Sequence, residues 1–219
     1  MDPIFIIKFM KEQYISTLID CQLFYANPAG YYWKCENGIG DKNEGLVSSG
    51  PWEPINKIQI MSMYKGAETP IFCSYAVMKS DVQENCIFVD RRIGNDFDKD
   101  NTMAVVMNYS SFLDAINSCE DVKNHGLVNY YDSFTVDMEL ASKDNLNLFY
   151  KKNKYSYQKE YRIIFNGSVK GVVKSLYEYS FEKNCAKKYH FEKHIVPVCI
   201  CRLSNCRNDD NGLYIELTS

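Results

Sequence analysis

A chain of 219 residues, 46% of them hydrophobic, is long enough to bury a substantial core and predicts a single domain. Its formal net charge of −3 argues against a nucleic-acid binder coated in positive charge. No run reaches the ~20 apolar residues of a membrane helix, and Met1-Asp2-Pro3-Ile4 lacks the basic and apolar regions of a secretory signal, so no membrane association and a cytoplasmic location are expected.

The chain opens on an apolar strand, Phe5-Ile6-Ile7-Lys8-Phe9, followed by a helix near Glu12 to Cys21 in which Tyr14, Leu18 and Cys21 recur at helical spacing. A strand at Leu23 to Asn27 stops at Pro28-Ala29-Gly30. The segment from Lys34 to Pro54, with Gly38-Ile39-Gly40-Asp41-Lys42-Asn43-Glu44-Gly45 inside it, reads as a long lid or binding loop. Strands are predicted at Ile58 to Met63, Ile71 to Met78, Cys86 to Val89 and Met103 to Met107, then a helix from Ser110 to Cys119 capped by Ser110 or Ser111. Val128 to Tyr131 and Phe134 to Met138 suggest a strand or hairpin, and His194 to Leu203 and Leu213 to Leu217 close the chain as strands. With no internal repeat, the pattern is a strand-dominated α+β domain with a few helices.

The charge is unevenly spread. Residues 143–193 hold 12 Lys or Arg against 5 Asp or Glu, a local +7 that leaves −10 for the rest of the chain. Such a segment is either a solvated face or a surface for an acidic polymer such as RNA or for the phosphates of NAD. Within it, Tyr157-Gln158-Lys159-Glu160-Tyr161-Arg162-Ile163-Ile164-Phe165 alternates polar and apolar residues as a half-buried strand does. Side chains two apart share a face, so Gln158, Glu160 and Arg162 are expected to line one side. The bland reading of the same trio is an exposed strand on which Glu160 pairs with Arg162 or a lysine.

The Gln-x-Glu strand, inside Tyr155-x-x-Gln158-x-Glu160-Tyr161-Arg162, resembles the last signature strand of the ADP-ribosyltransferase superfamily. The resemblance implies a split β-sheet core, NAD as co-substrate and no metal. It also implies transfer of ADP-ribose to a macromolecular acceptor, RNA (mRNA) or protein, with release of nicotinamide. In its terms Glu160 stabilises the ribosyl cation, an electrostatic contribution of the kind that dominates many enzymes, and Gln158 orients the acceptor. Lys8 stands on the first strand where the superfamily has Arg or His, and Ser74 or Tyr75 stands at its middle-strand element. Asn27, Tyr31, Tyr32 and Arg162 complete the expected NAD contacts. The front of the chain, Leu23 to Trp33 and Gly40 to Gly45, is similar to toxins of phage-defence systems in this superfamily, which implies an antitoxin and a chaperone as partners.

Each position also has a structural reading. Lys8 suits a solvated edge strand. Tyr31, Tyr32 and Trp33 are either a stacking wall for a base or largely core. Asn27 before Pro28 suits any turn. The nine cysteines, odd in number and without an export signal, are expected to be reduced, and His190, His194, Cys199, Cys201 and Cys206 lack the Cys-x-x-Cys spacing of a zinc site. The rival function is a non-enzymatic RNA- or protein-binding module of a defence system; a nucleolytic toxin has less chemistry to draw on.

Overall fold

The β-branched and aromatic runs of the sequence pair into one large antiparallel sheet. The computed structural model describes residues 2–34, 46–52, 59–64, 66–132, 146–175, 178–181 and 185–217, and it is an α+β fold with mostly antiparallel sheets and few, short helices. The main sheet has eight strands. Its path runs Lys187–His190, Leu23–Pro28, Pro70–Val77, Phe5–Lys11, Thr102–Asn108, Pro197–Arg202, with Glu160–Phe165 branching from Pro70–Val77 and Val122–Leu127 pairing in turn on Glu160–Phe165.

The branch follows from the register of the central strand, Pro70–Val77. Tyr75 pairs with both Ile7 and Glu160, and Ile71 pairs with both Asn27 and Ile164. One edge of that strand is therefore covered by the glutamate strand, Glu160–Phe165. The other edge is shared, by the first strand at one end and by Leu23–Pro28 at the other. Phe72, Cys73 and Ser74 have no ladder partner on this shared edge among the described residues, so the sheet splits there.

Two layers cover the sheet. On one face, α1 (Ile15–Ile19) and α3 (Tyr109–Asn117) seal a core of Leu18, Phe24, Phe72, Phe112, Tyr161, Ile163, Phe165 and Phe191, where Phe24 sits 4.5 Å from Phe191 and 5.2 Å from Phe72 between ring centroids. On the other face, Ile7, Tyr75 and Val77 pack on a four-stranded sheet through Ile87, Val89, Leu213 and Ile215, joined by Ile93 of α2 (Arg91–Asp96). A third cluster, Ala29, Ile71, Leu148, Phe149 and Ile164, lies on that same face further along the central strand. Because Ile71, Cys73 and Tyr75 alternate on one face, Cys73 falls between the two apolar clusters and packs against the third.

Several expectations are corrected in detail. The first helix is a 3₁₀ turn, Glu12–Tyr14, leading into α1, and of Tyr14, Leu18 and Cys21 only Leu18 is buried. α3 is capped by Asn108, whose carboxamide oxygen accepts from the Ser110 backbone at 3.0 Å and from its hydroxyl at 2.7 Å, not by Ser110 or Ser111. Within the predicted long loop, Leu46–Trp52 is a strand paired with Gln59–Tyr64; Gly38 to Gly45 and Phe134 to Met138 lie outside the described residues. Val122–Leu127 and α2 carried no clear sequence signal. Tyr31 and Tyr32 belong to a 3₁₀ segment, Ala29–Lys34, so strand alternation does not separate them.

Candidate active site

Glu160 opens its strand, and all six residues of Glu160–Phe165 are buried. A strand covered on both faces normally reads as continuously apolar; an acid and an arginine inside one must satisfy each other. The Arg162 guanidinium, fully buried, donates to Glu160 Oε1 through Nε at 3.1 Å and Nη2 at 2.7 Å, and its Nη1 donates to the Leu148 carbonyl. Lys151, 3% exposed, donates to Glu160 Oε2 at 3.2 Å. Burial opposes the charged carboxylate, but Arg162 and then Lys151 outweigh it and hold the carboxyl well below its ordinary range. The backbone N–H of Glu160 donates to the Tyr130 hydroxyl at 2.9 Å, and Tyr130 stands directly opposite Lys151 in a parallel strand pair.

Gln158 does not lie on the strand, as the alternation suggests it should. It ends a 3₁₀ segment, Asn153–Gln158, and Lys159 follows in the left-handed region at φ 39°. A lysine there costs about 1–2 kcal/mol, and neighbours over-determine it: its ammonium reaches Asp81 at 2.6 Å and its carbonyl accepts from Ala76 at 2.8 Å. The kink still delivers Gln158 to the carboxylate, because Lys151 Nζ donates to Gln158 Oε1 at 2.7 Å while also holding Glu160. The Gln158 side chain also meets Asp96, which takes the Tyr157 hydroxyl at 2.7 Å. Lys151 is thus the pivot of the site. Sequence reasoning missed it, because a lysine in the basic run Lys151-Lys152-Asn153-Lys154 carries no sign that it alone turns inward.

Of the other expected contacts, Asn27, Tyr32 and Arg162 converge here. The Asn27 side chain meets the Tyr32 hydroxyl, and burial, followed by the neighbouring Cys73, keeps that phenol protonated far above its ordinary value. Tyr31 packs edge-on against Tyr32 at 5.6 Å between ring centroids. The Cys73 thiol touches the Glu160 carboxylate, and burial, then that charge, pushes it well up, so it is a neutral donor. Tyr75 shares the face but is 3% exposed within the apolar cluster beside Ile87 and Leu213. Ser74 is placed on the opposite face: paired with Tyr161, it donates its hydroxyl to the Tyr161 carbonyl at 3.1 Å. It cannot reach the Glu160 side without reversing the strand.

Lys8 is not a solvated edge lysine. The first strand is flanked on both sides, and the Lys8 ammonium enters the split, donating to the Cys73 carbonyl at 2.5 Å with the Phe72 ring centroid 4.1 Å away. Burial lowers its pKa, which makes the charged form a cost to the fold. Lys8→Met is therefore expected to leave the melting temperature at pH 7 unchanged or higher. The sign in pH follows from linkage: the wild type gains stability as pH rises from the lowered folded value toward the unfolded one near 10.5, so its deficit against the variant narrows. Thermal unfolding at pH 7 and pH 10 checks this; a variant more than about 2 kcal/mol less stable at pH 7 contradicts it.

Among the described residues no group of three or more His, Cys, Asp or Glu is arranged to hold a metal ion, and no helix is long and apolar enough to cross a membrane. Family models, curated proteins and solved structures were all compared with the chain, and none matches.

Proposed function

We propose that this chain is an NAD-dependent ADP-ribosyltransferase that moves ADP-ribose onto a macromolecular acceptor, RNA before protein, and releases nicotinamide. The observation that carries the reading is the enclosed Glu160 carboxylate, paired with Arg162 and Lys151 and touching Cys73 of the central strand, with Gln158 tied to it through one lysine. As the bond from ribose to nicotinamide breaks, positive charge grows on the sugar. A fixed carboxylate in a low-dielectric site stabilises that charge without reorganising. An ionised carboxylate offers about four acceptor positions, which Arg162, Lys151 and Cys73 fill. The thiol is the weakest of these donors, and a ribose hydroxyl would displace it. Gln158, held by Lys151 from one side and Asp96 from the other, would present the incoming nucleophile. Tyr32 and Asn27 would contact the nicotinamide end. The basic segment that contains the site favours a polyanionic acceptor, and as a toxin in phage defence the protein would require an antitoxin and its chaperone.

The saturation of Glu160 favours one second reading: a non-enzymatic RNA- or protein-binding module in which the buried ion cluster only specifies the fold. Purified protein incubated with NAD labelled in its adenylate and with total RNA or protein extract separates the two. The transferase labels RNA in preference to protein and the label survives denaturation. A folded chain that retains RNA on a filter but labels nothing is the binding module.

A further inference from the structure

Far along the chain, three cysteines meet at the junction of the two sheets. Cys201 ends in the edge strand Pro197–Arg202 of the eight-stranded sheet, and Cys206 immediately precedes Arg207–Asn208, the outer strand of the four-stranded sheet. The 3₁₀ turn Leu203–Asn205 folds one back on the other, with the Cys206 N–H donating to the Leu203 carbonyl at 3.2 Å. Their sulfurs stand 3.5 Å apart, and both residues are half-buried. Cys199 is buried and donates its thiol to the Glu216 carbonyl at 3.4 Å.

We propose that Cys201 and Cys206 are a redox modification site, a dithiol that closes into a disulfide stapling the edge of the large sheet to the small one. A separation of 3.5 Å must shrink to about 2.05 Å, a movement that the turn between them can absorb. The co-reactant is a low-molecular-weight disulfide. The hydrogen bond from Cys201 lowers the Cys206 pKa and raises that of Cys201, which makes Cys206 the attacking thiolate. Cys206 displaces one half of the oxidant as a thiol and forms a mixed disulfide. Cys201 then loses its proton, attacks the Cys206 sulfur and expels the second half. Two protein thiols are oxidised, one small disulfide is reduced to two thiols, and the balance closes. Such a bond spans a very short loop, so it constrains the unfolded chain little and remains easily reduced.

The test uses the full-length chain and oxidised glutathione as the probe. After oxidation and removal of the probe, the nine thiols titrated in denaturant are expected to fall by two more than the number of glutathionyl groups counted by intact mass, and dithiothreitol restores all nine. Trypsin, cutting at Lys193, Arg202 and Arg207, should yield peptides 194–202 and 203–207 joined with loss of two hydrogens, and fragmentation should place the bond on Cys201. Cys201→Ser is expected to abolish the crosslink and Cys199→Ser to preserve it, each in protein whose circular dichroism matches the wild type. A thiol loss no larger than the glutathionyl count, a bond through Cys199, or a crosslink between chains overturns the proposal. This inference does not rest on the transferase reading.

Discussion

Glu160→Ala is expected to destabilise the fold by about 3–5 kcal/mol, the cost of breaking a buried ion pair from one side. The magnitude follows from what is left behind. Arg162 has no solvent exposure and Lys151 has 3%, so neither cation can turn to water when its carboxylate goes. Arg162 keeps the Leu148 carbonyl and Lys151 keeps Gln158, which softens the loss without cancelling it. Glu160→Gln keeps an oxygen for Arg162 but presents an amide N–H₂ to Lys151 or to Arg162, and should lie between alanine and wild type. The pH signature has a definite sign. Because the folded carboxyl sits below its ordinary value of 4.5, its contribution is complete above that pH and is lost as the pH falls through the folded value. Urea unfolding at pH 7 and pH 3 checks both points: the gap between wild type and Glu160→Ala should be large at pH 7 and shrink at pH 3. A gap below about 1 kcal/mol at pH 7 would mean that the ion cluster is held by something else.

The second large effect concerns Gln158. Its side chain is half-buried and bridges Lys151 to Asp96, so Gln158→Ala should cost the fold no more than about 1 kcal/mol. If Gln158 orients the acceptor while Glu160 stabilises the cation, the two residues separate kinetically. Transfer to RNA is expected to fall by about 10²-fold, as positioning losses do, whereas nicotinamide release to water should fall less than about tenfold. Following labelled RNA and free nicotinamide in the same reactions reads both rates. Parallel loss of the two would place Gln158 with Glu160 in stabilising the cation, and loss of neither would remove it from the site.

Much of this arrangement was legible in the residues. The strands at Phe5, Leu23, Pro70, Cys86, Thr102 and Gly212 follow from β-branched and aromatic runs bounded by turn residues, and the structure moves their ends, outward or inward, by at most a few residues. The charged pair Glu160 and Arg162 was visible as two polar residues on one face. Other features depend on contacts that no local pattern encodes. The left-handed Lys159 is held by Asp81 and Ala76, 78 and 83 positions away in the chain, so the departure of Gln158 from the strand could not be read locally. Ser74 and Tyr75 are neighbours in sequence, and which of them faces Glu160 is fixed by the register Tyr161 to Ser74. Lys8 reads as solvated until the split of the sheet supplies the Cys73 carbonyl as its acceptor. Lys151 differs from Lys152 and Lys154 only through the parallel pairing of its short strand with Tyr130.

The most direct measurement is nicotinamide release from NAD by the wild type and by Glu160→Gln, each verified as folded by its thermal transition, between pH 5 and pH 8. The account predicts release by the wild type with no acid limb from Glu160 in that range, because its carboxyl is already ionised, and a fall of about 10²–10³-fold in the variant. Equal release by the two folded proteins, or none from either, would contradict it.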